Sequence, residues 1–178
     1  MNMKKKLIGL LLTMLCVVSL AACGGGNSEG GNDGSNNTPT GNTSSGYTFE
    51  YKGVSVSVDT DIETILDKLG EPSSVFEDPS CAGQGTDFVY RYSGVDIYTS
   101  PSKDCDKAIS TILIVSDEVE TPEGITIGST QEDVEAAYGT DYSNNNGMLT
   151  YEKGGMKLGI LIKGGVVDSI QYTSTALN

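Results

Sequence analysis

Two stretches of this 178-residue chain open a short helix in the same way, 69 residues apart. Thr60-x-x-Glu63 and Ser129-x-x-Glu132 both read as capping boxes, in which a hydroxyl accepts a free backbone N–H and the Glu reaches back to the cap. At the same offset Ile65 falls on Val134, and Leu69-Gly70 on Tyr138-Gly139, with glycines suited to end a helix. The first stretch carries Ile62, Ile65, Leu66 and Leu69 on one face. The second carries Val134, Ala137 and Tyr138, a weaker stripe. Helices of two or three turns are marginal alone, so each needs a surface to pack on.

The residues after each helix supply that surface. In FVYRYSGVDIY a turn at Ser93-Gly94 pairs Tyr92 with Val95, Tyr90 with Ile97 and Phe88 with Thr99. The other face then pairs Arg91 with Asp96 and Val89 with Tyr98. In MLTYEKGGMKLGILI a turn at Lys153-Gly154 pairs Tyr151 with Met156 and Leu149 with Leu158. A third run follows each hairpin: AISTILIV from Ala108 and VVDSIQYT from Val166, with Ile112 aligned to Ile170 and Ile114 to Tyr172. Their register is open, because Gly164-Gly165 allows several turns. The expected fold is α+β. Two tandem helix-plus-antiparallel-hairpin units, about 54–115 and 124–178, pack both helices on one face of a shared antiparallel sheet. Ser116–Pro122 bridges the units, and YTFEYKGVSVSV from Tyr47 is read as an added edge strand.

Ahead of this head, MNMKKK followed by LIGLLLTMLCVVSLAA reads as a secretory signal over residues 1–22, too short to span a bilayer comfortably. The exit Leu20-Ala21-Ala22-Cys23 resembles the lipobox of bacterial lipoproteins. That resemblance implies a lipid on Cys23, membrane attachment, and a place in the cell envelope outside the cytoplasm. Residues 23–46 are Gly, Ser and Asn rich and nearly free of apolar side chains. They are read as a flexible tether reaching on the order of 25–30 Å. The head, 47–178, holds 22 of the 24 acidic residues against 8 of the 11 basic ones, a balance of −14. That charge disfavours nucleic acid and anionic lipid headgroups as partners. Cys81 and Cys105, the two cysteines of the head, are expected to form a disulfide, as exported pairs do. The Phe88–Thr99 hairpin, carried further, brings Cys81 beside position 106.

Ile127-Gly128-Ser129-Thr130, Val134 and Tyr138-Gly139, with Leu69-Gly70-Glu71-Pro72, resemble the motifs of the SmpA/OmlA-type small lipoproteins. The doubling is similar to the β-lactamase-inhibitor protein, with its two tandem helix-plus-sheet units. The resemblance implies that the exposed face of the sheet docks on an envelope or extracellular protein. Here that face would hold Arg91, Asp96, Tyr98, Thr111, Thr150 and Lys157, together with Val89, Leu113 and Glu152.

The chain has no histidine, which removes the commonest general base and the usual zinc ligand. In the head G-x-S-x-G and phosphate-loop patterns are absent, and so is an EF-hand loop. Asp59 and Asp61, and Asp104 and Asp106, are the remaining cation candidates, read as a helix start and a solvated loop. The expectation is therefore a non-catalytic lipoprotein without cofactor or bound metal, working by protein–protein interaction. The alternative is capture of a small ligand or cation between the two units.

Overall fold

The computed structural model describes residues 46–81 and 84–177. The expected leader, Cys23 and nearly all of the expected tether lie outside them. Among the described residues, β1 (Phe49–Tyr51) and β2 (Val54–Val56) form a separate hairpin. A 3₁₀ turn (Ile62–Thr64) leads into α1 (Leu66–Leu69). Four strands follow: β3 (Ser74–Pro79), β4 (Thr86–Tyr92), β5 (Val95–Ser100) and β6 (Ala108–Ile114). Then come α2 (Gln131–Tyr138), β7 (Ser143–Asn145), β8 (Met148–Lys153), β9 (Met156–Lys163) and β10 (Val166–Ser174). The last eight strands make one antiparallel sheet in the order β3-β4-β5-β6-β10-β9-β8-β7. The molecule is thus α+β, with its helices on one face of a large antiparallel sheet.

That face is apolar because alternate residues of each strand point to it. Tyr92, Val95, Ile97, Ile112, Ile114, Ile170, Tyr172, Leu158, Ile160, Leu149 and Tyr151 are all 5% exposed or less. The covering layer contributes Ile62, Ile65, Leu69 and Val134, all buried, while Leu66, Ala137 and Tyr138, the other apolar helix positions read from the sequence, are half-buried against it. Each fully buried side chain of this kind contributes roughly 1.5–3 kcal/mol. Burial on that scale outweighs the weakness of a one-turn α1. Burial also pushes the Tyr151 phenol up to about 12, so its ring stays neutral in the core, with its hydroxyl donating to the Gly139 carbonyl at 3.0 Å.

The β4–β5 register matches the sequence reading residue for residue, from Tyr92 opposite Val95 to Phe88 opposite Thr99. Elsewhere the structure departs from expectation. The β8–β9 turn is Gly154-Gly155, not Lys153-Gly154, so Tyr151 faces Leu158 and Leu149 faces Ile160. Both glycines have positive φ, 57° and 81°, which a two-residue type I′ turn demands and Lys153 would resist. The expected edge strand from Tyr47 is instead the β1–β2 hairpin. Phe49, Tyr51 and Val56 are buried, with Phe49 5.5 Å from Tyr172 and Tyr51 5.8 Å from Tyr92 between ring centroids. Its apolar side chains are better covered on the core than they would be at a sheet edge.

The Cys81–Cys105 disulfide is corrected: both thiols are free. The expectation ran the β4–β5 ladder past its ends. The chain instead reverses between β3 and β4, where the Ser80 N–H donates to the Gly85 carbonyl at 3.1 Å. On the other arm Cys105 closes a tight loop with Ser102: the Ser102 N–H donates to the Cys105 carbonyl at 2.7 Å, and the Cys105 N–H to Ser102 Oγ at 3.0 Å. Neither arm continues the ladder. In addition, no helix among the described residues is long and apolar enough to cross a membrane.

Candidate functional site

The sheet face away from the helices carries the residues singled out from the sequence. Directly opposed residues share a face, so the register draws two adjacent rows. One runs Ser74, Arg91, Asp96, Leu113, Gln171, Gly159, Thr150, Ser143. The next runs Phe76, Val89, Tyr98, Thr111, Thr173, Lys157, Glu152. Arg91, Asp96 and Thr150 therefore lie in one row, and Tyr98, Thr111 and Lys157 in the other. Arg91 on β4 and Thr150 on β8 stand five strand positions apart, on either side of the β6–β10 centre, so these six residues form no single cluster.

Several of these side chains already have partners. Arg91 Nε lies 3.5 Å from Asp96 Oδ2, and its guanidinium stands over the Phe76 ring, 4.6 Å from the centroid. Lys157 Nζ lies 3.5 Å from Glu152 Oε1. Gln171 covers Gly159 so closely that a Cβ there would sit 3.2 Å from Gln171 Cγ and 3.3 Å from Met148 Sδ.

Between the rows a groove of about 280 Å³ crosses β4, β5, β6 and β10. Val89 and Leu113 give it apolar surface, while Tyr98, Thr111 and Gln171 add polar groups. Asp87 belongs to the same lining, and its Oδ1 is buried without a hydrogen-bond partner. Across the β3–β4 pair Asp87 faces Asp78, a second carboxylate. A buried acceptor without a donor costs about 1–3 kcal/mol, more for a charged group, so a ligand donor at Asp87 would be well rewarded. Asp87 and Gln171 were not among the residues read from the sequence. Period-two counting from Val89 reaches Asp87, but Gln171 required the β6–β10 register.

Larger clefts lie at the end of the sheet around the β5–β6 loop. One of about 450 Å³ is lined by Asp61, Glu63 and Lys103–Lys107. A neighbour of about 540 Å³ is lined by Asp59, Ser100–Cys105, Ala108, Ala176 and Leu177. Several of their polar groups are engaged in the fold. Asp61 Oδ1 accepts the Glu63 N–H at 3.0 Å, Asp59 Oδ1 accepts the Ser174 hydroxyl at 2.6 Å, and Lys107 Nζ donates to Glu63 Oε1 at 2.7 Å. That last bond holds the Lys107 ammonium above its ordinary value. Among the described residues no group of three or more carboxylates or thiols is arranged to hold a metal ion. Burial pushes the Cys105 thiol up, away from the thiolate form that nucleophilic chemistry needs.

No family model and no curated protein matches the chain. Among solved structures it is similar to an extracellular protein containing a SCP domain from Bacillus anthracis str. Ames, at 16% identity and a TM-score of 0.49. The match covers 66% of this chain and 44% of that one, so the chain spans less than half of that structure's length. No family model supports the resemblance to SmpA/OmlA-type lipoproteins or to the β-lactamase-inhibitor protein, and it is corrected on that ground. Its motifs are those of a helix start and a helix end, which any short capped helix shares. The lipoprotein and membrane-anchor reading, which rests on the lipobox pattern alone, gains no support from a family model or a curated relative and is not carried further; Cys23 lies outside the described residues.

Proposed function

We propose that the head is a non-catalytic binding module acting outside the cytoplasm, and that its open-face groove takes a small ligand bearing a protonated amine. The carrying observation is the buried, unpartnered Asp87 Oδ1 in the lining of the groove. An ammonium donates the missing hydrogen bond and offsets the facing carboxylates of Asp87 and Asp78. Val89, Leu113 and the Tyr98 ring supply apolar contact beside it. The basic-then-apolar start of the chain supports export. A non-catalytic role is supported by the lack of histidine and by the raised Cys105 thiol. Protein docking on the same face is less favoured, because Arg91 and Lys157 are already paired with Asp96 and Glu152.

The groove also crosses the seam of a proposed two-unit architecture. Asp61 bridges to Ala108 and Thr130 to Val166, and the two helix starts stand 69 residues apart. Ile112 pairs with Tyr172 and Ile114 with Ile170, the arrangement expected if β6 and β10 are equivalent strands related by a local two-fold.

Phenethylamine and its neutral counterpart 2-phenylethanol test the reading by NMR titration of the isotope-labelled chain. The amine is expected to shift the amides of Asp87, Val89, Tyr98, Thr111 and Gln171, and the alcohol to do so more weakly. Asp87→Asn should weaken the amine response, and Leu113→Trp, which fills the groove, should abolish it. Shifts confined to Lys103–Lys107, or an undiminished response in Leu113→Trp, would overturn the proposal.

A further inference from the structure

The two edges of the large sheet are unlike. The β7 edge is three polar residues, Ser143-Asn144-Asn145, a short strand of the kind that blunts pairing. The β3 edge is six residues, Ser74-Val75-Phe76-Glu77-Asp78-Pro79, with β4 on one side and, among the described residues, no strand on the other. Val75 and Phe76 are each 49% exposed, the two most exposed large apolar side chains among the described residues. Glu77 and Asp78 beside them are exposed as well. Such an edge presents unpaired backbone donors and acceptors to any extended segment that matches its side chains.

We infer that β3 accepts an extended basic–apolar segment of another protein as a ninth strand. The side-chain order defines the fit. Phe76 and Asp78 lie on the open face, opposite Val89 and Asp87. Val75 and Glu77 lie on the helix face, opposite Tyr90 and Phe88. Each face thus offers one apolar residue followed by one acid. A strand added antiparallel, as every pair in this sheet is, must read basic-basic-apolar-apolar along its own direction. Its two basic residues then stand against Asp78 and Glu77, and its two apolar residues against Phe76 and Val75. A second copy of this chain is a poor occupant. It would bring another edge carrying Glu77 and Asp78, on a head whose balance is −14. The charge selects a basic partner and, by the same repulsion, protects the edge from self-pairing.

The probe is a capped synthetic peptide, Thr-Lys-Arg-Val-Ile-Thr, compared with the reversed peptide Thr-Ile-Val-Arg-Lys-Thr of identical composition and charge. Titrated into the labelled chain, the first is expected to shift the amides of Ser74–Asp78 saturably and to slow their exchange with solvent. The reversed peptide should bind about tenfold more weakly, from loss of two opposite-charge cross-strand pairs. Glu77→Lys with Asp78→Lys should weaken the first peptide by at least that factor. Phe76→Ser, a change at a half-exposed site, should weaken it with the charges intact. Leu113→Trp in the groove should leave it unchanged. Equal binding of the two peptides, or binding indifferent to the double substitution, would reduce the effect to bulk charge and overturn the inference. So would sedimentation as a dimer that the same double substitution returns to monomer, since the occupant would then be a second copy.

Discussion

Thr130, not Ser129, caps α2, because Ser129 is already engaged: its Oγ accepts the Thr126 N–H at 3.1 Å. Thr130 Oγ1 accepts the Asp133 N–H at 3.2 Å, and Asp133 Oδ2 accepts the Thr130 N–H at 2.9 Å, so a capping box forms one residue later than the sequence pattern suggests. Asp61 likewise displaces Thr60, whose carbonyl is drawn to the Ile109 N–H at 2.9 Å. Residue type marked each helix start, but competition among neighbouring donors and acceptors chose the cap. The box leaves a titration signature. The Thr130 hydroxyl and N–H hold Asp133 below its ordinary value of 3.8. A carboxylate depressed in the folded state adds stability that is fully present above the ordinary value and is lost as pH falls through the folded one. The urea midpoint, followed from about pH 5 down to about pH 2, should therefore fall less steeply in Asp133→Asn than in the parent. Parallel curves for the two proteins would show that the box contributes nothing to acid stability.

Among the elements, the β4–β5 hairpin was legible because Ser93-Gly94 sits between two alternating runs that share one workable register. The β8–β9 hairpin was read two residues out of register because three successive residues, Lys153, Gly154 and Gly155, offer overlapping turns of equal length. Only the positive φ at both central positions separates them. The face of each strand survived that error, since a shift of two preserves side-chain parity. β3 went unread because Val75 and Phe76 are adjacent and half-exposed, with no alternation to mark a strand. The turn assignment makes its own prediction. Gly154→Asn, which creates Asn-Gly, should hold or raise stability by about 0.4–1 kcal/mol through a less flexible unfolded chain. Gly155→Val should destabilise the protein, because a β-branched residue resists positive φ. Urea denaturation of the two variants checks the ordering, and the reverse ordering would place the turn elsewhere.

At the scale of the whole molecule, β6 and β10 meet at the centre of the sheet, and neither half closes its own core. Ile112 and Ile114 face Tyr172 and Ile170, all four 1% exposed or less. A chain ending at Pro122 would uncover the first two, at about 1.5–3 kcal/mol each. It would also turn β6 into an open edge and strip the helix-side cover that the second half contributes. Set against a net stability of about 5–15 kcal/mol, those losses predict a truncated chain with no cooperative thermal transition. A sharp transition by tyrosine near-ultraviolet circular dichroism would refute the mutual dependence of the halves.

Side-chain alternation and helix spacing are properties of neighbours along the chain. They settled the α+β class and the burial of Ile62, Ile65, Leu69 and Val134, as composition settled the acidity of the head. What lay beyond reach was whatever depends on residues distant in sequence meeting in space. The β6–β10 pairing put Gln171 beside Leu113, the reversal at Ser80–Gly85 withheld the Cys81–Cys105 bridge, and the strand order left β3 bare at one edge. Local periodicity repeats every two or 3.6 residues and carries no label for its partner, so only the packed molecule selects which strand lies next to which.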